Sequence, residues 1–139
     1  MSSYLSFYVV PRRKNKKEPK KYIILMAYSR STEIYQYFNE NLSIVYAGNE
    51  TKYTTLSNED VSIVIKNFKE DIDKFYNRLI EYEKYASTNP NYIQEIVDLK
   101  DYIDELSYWK DKTSFIADMI NEIRMDYSSG IEEVCCNID

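Results

Sequence analysis

Seven basic side chains lie close together in a ten-residue stretch near the start of the sequence. Residues 12–21 read RRKNKKEPKK, with seven positive charges and one negative charge. Such a cluster can neutralise phosphate groups, and the rings of the flanking Tyr8 and Tyr22 can stack on bases. An alternative is a solvated loop that keeps a strand edge soluble or pairs with acidic residues of its own chain. The residues of this candidate nucleic-acid site are Arg12, Arg13, Lys14, Lys16, Lys17, Lys20 and Lys21.

A second candidate lies where a strand is expected to run into a helix. Residues 28–32 read YSRST, which brings hydroxyl groups and a guanidinium to the free N–H groups of a helix N-terminus. Ser29, Arg30 and Ser31 therefore form a candidate anion-binding or nucleotide-binding junction. The alternative is ordinary helix capping by Ser31 beside an exposed arginine.

The third candidate is an acidic, tyrosine-rich helical surface. Residues 57–139 carry 19 acidic and nine basic side chains, whereas residues 1–56 carry four and nine. A negatively charged helical surface can engage a basic groove, and tyrosine is enriched in protein interfaces. The alternative is a set of solvated outer faces that flank the helical seam. The candidate interface residues are Tyr76, Tyr85, Asp98, Asp101, Tyr102, Glu105 and Tyr108.

Composition argues against most catalytic chemistry. The chain has no histidine, which removes the usual general base and the commonest metal ligand. Its two cysteines, Cys135 and Cys136, are adjacent, too few for a four-ligand zinc site and expected to be unpaired thiols. Only two glycines are present, so phosphate-cradling glycine-rich loops are excluded. We therefore predict no enzymatic activity, no catalytic residues, no metal site and no cofactor.

The sequence also carries no signal for a membrane. No apolar run approaches the roughly 20 residues that span a bilayer, and no secretory signal opens the chain. A cytoplasmic location without a membrane partner is the expectation.

Residues 1–56 are predicted to form a β-rich subdomain of ββαβ(β) order. Residues 3–10 and 22–28 are aromatic and β-branched, and they predict a hairpin with the basic loop at its tip. A short helix over 32–41 follows, capped by Ser31 and buried through Ile34, Tyr37 and Phe38. Strands over 42–47 and 52–56, joined by a turn at Gly48-Asn49, complete an antiparallel sheet of three to four strands.

A heptad pattern predicts the first long helix, over about 58–87. Ser57 and Asp60 have the spacing of a capping box that starts it. Apolar residues alternate at intervals of four and three, which is the seam of a coiled coil. The seam residues are Val61, Ile65, Phe68, Ile72, Phe75, Leu79, Tyr82 and Ala86.

A second long helix is predicted over about 90–128, with Asn89 as its cap and Pro90 at its first position. It folds back on the first, and the two make an antiparallel coiled-coil hairpin over 57–130. The apolar line shifts by a three-residue step at Trp109. The seam residues are Tyr92, Ile96, Leu99, Ile103 and Leu106, then Trp109, Thr113, Ile116, Ile120, Ile123 and Tyr127.

The second helix outruns the first, and its last turns need another surface. We expect them to pack on the N-terminal sheet, with a dimer interface as the alternative. Gly130 is expected to end the helix in the left-handed conformation. Residues 131–139, IEEVCCNID, are predicted to be a frayed acidic tail.

Three features together resemble small uncharacterised proteins encoded by tailed bacteriophages. They are the opening SYLSFYVVP, the YSRSTEIYQYF segment and the long charged helical hairpin. The resemblance implies an accessory protein that acts by binding, such as an inhibitor of a host or defence protein, or a virion component. It assigns no functional residues.

The sequence therefore predicts an α+β protein that works as a non-enzymatic protein-interaction module with a host or phage protein as partner. The first alternative is a nucleic-acid or nucleotide binder that uses the basic loop or the 29–32 junction. The second is a self-assembling structural protein, in which the chain forms a homo-oligomer.

Overall fold

Two long helices, one short helix and a four-stranded antiparallel sheet build an α+β fold, as predicted at that level. The computed structural model describes residues 3–42, 53–125 and 130–138. In chain order the elements are β1 (Tyr4–Pro11), β2 (Ile23–Ser29), α1 (Glu33–Asn41), β3 (Thr54–Thr55), α2 (Asn58–Ala86), a 3-10 turn (Pro90–Tyr92), α3 (Ile93–Met125) and β4 (Ile131–Ile138).

The N-terminal hairpin is confirmed. β1 pairs antiparallel with β2, and the basic loop connects them. The register shifts between Phe7 and Tyr8: Phe7 pairs with Met26, whereas Tyr8 pairs with Ile24. Leu25 is therefore the extra residue of a β-bulge, a feature that bends the strand locally.

The prediction of a frayed tail after residue 130 is wrong. β4 lies inside the sheet, between β1 and β3, in the order β2-β1-β4-β3. Its alternating residues Val134, Cys136 and Ile138 belong to the hydrophobic core. The neighbouring acidic residues Glu132 and Glu133 concealed this strand pattern, because their charges are paired within the fold by Arg13 and Lys20.

The sheet is therefore not completed within residues 1–56. Its described fourth strand comes from the far end of the chain, and β3 is only Thr54–Thr55 within the predicted 52–56 segment. The predicted strand over 42–47 lies outside the described residues except for Leu42, which is the C-cap of α1. The predicted turn at residues 48–49 also lies outside them.

α1 begins one residue later than predicted. Thr32 is its N-cap and accepts a hydrogen bond from the Tyr35 N–H at 3.4 Å, while the Ser31 hydroxyl pairs with that of Ser29. The predicted buried face is confirmed, with Tyr35 buried beside Ile34, Tyr37 and Phe38.

α2 and α3 lie side by side and antiparallel. The ring of Phe75 in α2 meets that of Tyr102 in α3 at 5.1 Å, and Tyr82 in α2 meets Tyr92 of the 3-10 turn at 5.5 Å, so the end of α2 lies beside the start of α3. The capping box predicted at the start of α2 is present. Val64 is also buried, although it lies off the strict seam, and it belongs to the core that α2 shares with α1 and the sheet.

The shifted apolar line of α3 is confirmed up to its described end. Thr113, Ile116 and Ile120 are buried, and the two isoleucines share one core with Leu5 and Val134 of the sheet. The end of α3 thus packs on the sheet as expected, whereas the predicted seam residue Tyr127 lies outside the described residues. Gly130 does not take the left-handed φ predicted for it.

Candidate functional site

The basic loop is folded back onto β4. The Arg13 Nε donates a hydrogen bond to Glu132 Oε1 at 2.7 Å, and Lys20 Nζ donates one to Glu133 Oε2 at 2.7 Å. Arg13 also donates to the carbonyl oxygens of Lys16 and Glu18, both at 3.0 Å. Two of the seven cations are thus occupied by the chain's own acidic residues. Exposed side chains remain at Lys14, Lys16, Lys17 and Lys21.

These ion pairs set the charge state of β4. The hydrogen bond from Arg13 holds the pKa of Glu132 below its ordinary value. Burial raises the pKa of Glu133, but hydrogen bonds from Lys20, Thr55 and Cys135 outweigh burial and lower the pKa overall. Both carboxylates therefore stay ionised and bound to the loop at neutral pH. This arrangement favours the alternative in which the loop pairs with its own chain.

The Ser29–Thr32 junction uses its polar groups internally. The hydroxyls of Ser29 and Ser31 lie 2.9 Å apart, and the Thr32 hydroxyl donates to the Ser29 carbonyl at 2.7 Å. Arg30 is exposed, and its backbone N–H donates to the Ser3 carbonyl. The hydroxyl groups expected to hold an anion instead close the turn between β2 and α1.

The predicted interface residues on the long helices do not form one surface. Tyr102 is half-buried against Phe75, and Glu105 lies beside Glu33 of α1. Tyr76 lines a separate shallow groove with Lys100 on another side of the helix pair. The remaining residues are exposed along the helices: Tyr85, Asp98, Asp101 and Tyr108.

The edge strand β2 exposes apolar side chains that the sequence did not mark as a site. Ile23, Ile24 and Leu25 are consecutive and are 51%, 57% and 40% exposed. Ile24 pairs with Tyr8, on the sheet face away from the core, whereas Met26 pairs with the core residue Phe7. The exposed apolar surface therefore wraps around the edge of the sheet.

α3 extends this surface on the helix-covered side. A groove of about 380 Å³ lies between Met26 and one side of α3, and it is open to solvent. Tyr108 and Phe115, 52% and 53% exposed, form its apolar walls. Asp111 and Lys112 also line it, and Lys112 Nζ lies 5.3 Å from the centre of the Tyr108 ring. We call Ile23, Ile24, Leu25, Met26, Tyr108 and Phe115 together the β2 surface.

No protein-family model, curated protein or solved structure matches the chain.

The two thiols are unsuited to nucleophilic chemistry in the folded protein. Cys135 and Cys136 are free, buried and directed to opposite faces of the sheet, since only Cys136 joins the main core. Burial raises the pKa of each thiol to about 12, and for Cys135 the neighbouring Glu133 adds to the rise. Both stay protonated at neutral pH, and the thiolate is the nucleophilic form.

Over residues 3–42, 53–125 and 130–138, no three histidine, cysteine, aspartate or glutamate side chains are grouped so that they could hold a metal ion. In the same part of the chain, no helix has the length and apolar character needed to cross a membrane.

Proposed function

We propose that this chain is a non-enzymatic protein-binding module and that the β2 surface is its contact surface. The observation that carries the proposal is the run of three exposed apolar residues on an edge strand, Ile23 to Leu25. Contiguous exposed apolar side chains on a protein surface mark interaction sites, and an apolar strand edge is a template for pairing.

The neighbouring groove supports a specific protein contact rather than non-specific hydrophobic association at the strand edge. Tyr108 and Phe115 are aromatic side chains that bury a large area at low entropic cost. They stand beside a cation and a carboxylate, Lys112 and Asp111, which supply polar groups at the rim of an apolar centre. Tyr108 is the one residue that the sequence-based interface prediction shares with this surface.

Support for binding rather than catalysis comes from the scarcity of side chains that could act as a nucleophile or a general base. The chain has no histidine, and burial keeps both thiols protonated. The predicted nucleic-acid site has less support, because Arg13 and Lys20 are bound by β4 and the 29–32 junction is closed by its own hydrogen bonds.

The resemblance to phage accessory proteins supplies a proposal for the partner. We propose that the partner is a host or defence protein in the bacterial cytoplasm and that binding inhibits it. This step rests on the sequence resemblance and on the kind of surface present.

The shape of the long arm is a further part of the proposal. We propose that α2 and α3 wind around each other as an antiparallel coiled coil beyond the sheet. Its support is the seam. Ile72 and Phe75 of α2 are half-buried there, and the ring of Tyr102 of α3 lies against that of Phe75. Such an arm holds the sheet, and with it the β2 surface, in a fixed orientation relative to the far end of the helix pair.

Site-specific photo-cross-linking tests the proposed surface. A photoreactive residue placed at Ile24 or Phe115, in cells of a bacterial host, should form a stoichiometric cross-link to one protein. The matched control is Ile63, which is 48% exposed on α2 and does not belong to the β2 surface. Phe115→Lys should weaken binding of that protein by about tenfold or more, as expected for an aromatic anchor. Equal cross-linking from Ile63, or none from either surface position, would contradict the proposal.

A further inference from the structure

We infer that the free edge of β2 binds an extended apolar segment of the partner that carries acidic residues at both ends. The segment adds to the sheet as a strand beside β2, in the order partner-β2-β1-β4-β3. This inference rests on the proposed protein-binding function and specifies the chemistry and geometry of the partner.

The backbone of β2 supplies the directional part of the site. β2 pairs with β1 along one side, and within the described residues no strand pairs along its other side. Backbone N–H and C=O groups on that side are available to an added strand. Seven residues of strand span about 23 Å, which is enough for a short extended peptide.

The side chains on both sides of the edge match an apolar strand. Successive side chains of a strand point to opposite faces, so an added strand places alternate residues over Ile24 and over Met26. Ile24 offers an exposed apolar contact on the open face. Met26 offers the groove that Tyr108 and Phe115 wall on the other face. Apolar residues in the middle of the partner segment can therefore be buried on both sides.

Charge at the ends of β2 decides between partners. The strand itself, IILMAYS, carries no ionisable charge at neutral pH, but Lys21 lies just before it and Arg30 just after it, both exposed. The exposed lysines of the basic loop add positive charge at the Lys21 end. Asp111 and Lys112 roughly offset each other in the groove, so the charge preference lies at the strand ends. Acidic residues at both ends of the added strand complement this pattern.

The same charges disfavour a second copy of this chain as the occupant. Two β2 strands paired antiparallel about a two-fold axis would bring Lys21 of each copy near Arg30 of the other. Like charges opposed in this way are destabilising in a strand pair. An apolar edge that is positively charged at both ends thus discriminates against its own copy and in favour of an acid-flanked segment.

Peptide binding to the full-length chain tests this inference. The probe is the fluorescein-labelled peptide EEVVIVVEE, with KKVVIVVKK as the charge control and EEVVPVVEE as a control whose central proline interrupts strand pairing. By fluorescence anisotropy, the acidic peptide should bind at least about tenfold more tightly than either control, and about 1 M salt should reduce its advantage over the lysine peptide. Hydrogen exchange should show protection of β2 amides on binding, while β3 amides should be unchanged.

A charge-reversed variant gives the sharpest test. Lys21→Glu combined with Arg30→Glu should reverse the preference, so that the lysine peptide binds more tightly than the acidic one. The matched control is Lys69→Glu combined with Lys84→Glu, two exposed lysines of α2, which should leave the preference unchanged. Both positions of the test variant are exposed, so the fold should persist, which circular dichroism can check.

Several outcomes would overturn the inference. They are equal binding of the acidic and lysine peptides, an unchanged preference in the charge-reversed variant, and no binding up to about 1 mM peptide. A dimer in sedimentation, with β2 amides protected in the absence of peptide, would show that a second copy occupies the edge. If any of these occurs while Phe115 still cross-links to a partner, the inferred acid-flanked strand is wrong and the protein-binding function stands.

Discussion

Glu33 lies in the first turn of α1 with part of its carboxyl buried. Burial raises its pKa, and the nearby Glu105 carboxyl raises it further. The Trp109 indole N–H lies close enough to lower the pKa to a smaller extent. Even so, neither Glu33 Oε2 nor the indole nitrogen has a hydrogen bond of normal geometry. Burial beside a second carboxyl group, with one oxygen left without a hydrogen bond, therefore disfavours the ionised form of Glu33, and this opposes folding wherever that form is populated.

Replacing Glu33 should change the free energy of unfolding in a pH-dependent way. A carboxyl whose pKa is higher in the folded state than its unfolded value, about 4.3, stabilises the fold at low pH, and that contribution is lost as pH rises through the folded pKa. Glu33→Gln should therefore raise the free energy of unfolding at pH 7, by about 0.5 kcal/mol because solvent screens this partly exposed pair. The gain should shrink towards zero as pH falls to about 4.

Urea unfolding at several pH values measures this effect. Glu81→Gln, at an exposed position of α2, is the matched control and should change stability little at any pH. A gain from Glu33→Gln that does not depend on pH would show that the carboxylate charge is not its cause.

At the scale of elements, a local capping signal predicted the start of α2 correctly. Ser57 accepts a hydrogen bond from the Asp60 N–H, and Asp60 accepts one from the Ser57 N–H, both at 3.2 Å. This reciprocal pair satisfies two backbone donors that have no partner within the helix. The start of α2 could be predicted because all of its determinants lie within four residues.

Removing the cap should destabilise the protein measurably. Ser57→Ala removes the side-chain acceptor and should lower the free energy of unfolding by about 1 kcal/mol. Ser62→Ala is the matched control: Ser62 is exposed within α2, where alanine favours the helix, so stability should be unchanged or slightly higher. Equal effects of the two substitutions would mean that the capping box does not stabilise α2.

Strand order, in contrast, depends on contacts that no local pattern reveals. The hairpin of β1 and β2 was predictable from two apolar runs and the loop between them. That β2 lies at the edge follows only from β4 pairing with the other side of β1, through residues such as Val134 opposite Val9. The β2 surface was missed for this reason, apart from Tyr108. β4 itself was missed because the two cations that pair with Glu132 and Glu133, Arg13 and Lys20, lie more than a hundred residues earlier in the chain.

At the scale of the whole molecule, β4 joins the two ends of the described chain in one core. Ile138 pairs with Leu5 and is 5% exposed, in the same core as Phe68 of α2 and Ile116 of α3. Residues 131–138 are therefore a structural part of the domain rather than an appendage.

A substitution in β4 should test this role. Ile138→Ala deletes buried methyl groups from the core and should lower the free energy of unfolding by about 2–4 kcal/mol. Ile24→Ala is the matched control in the same sheet, because Ile24 is 57% exposed, and it should cost less than about 1 kcal/mol. Chemical denaturation followed by circular dichroism measures both. Similar small effects would mean that the end of β4 is not packed into the core.

The position of β4 also sets the order in which the protein can fold during synthesis. Until residues 131–138 emerge from the ribosome, β1 is bordered only by β2, and the sheet lacks the strand that pairs with β3. Native pairing must then close a loop of more than a hundred residues, which gives a high contact order and slows folding. Until β4 is synthesised, the nascent chain therefore exposes the edge of β1 that β4 later covers, and chaperone contact is most needed in that interval.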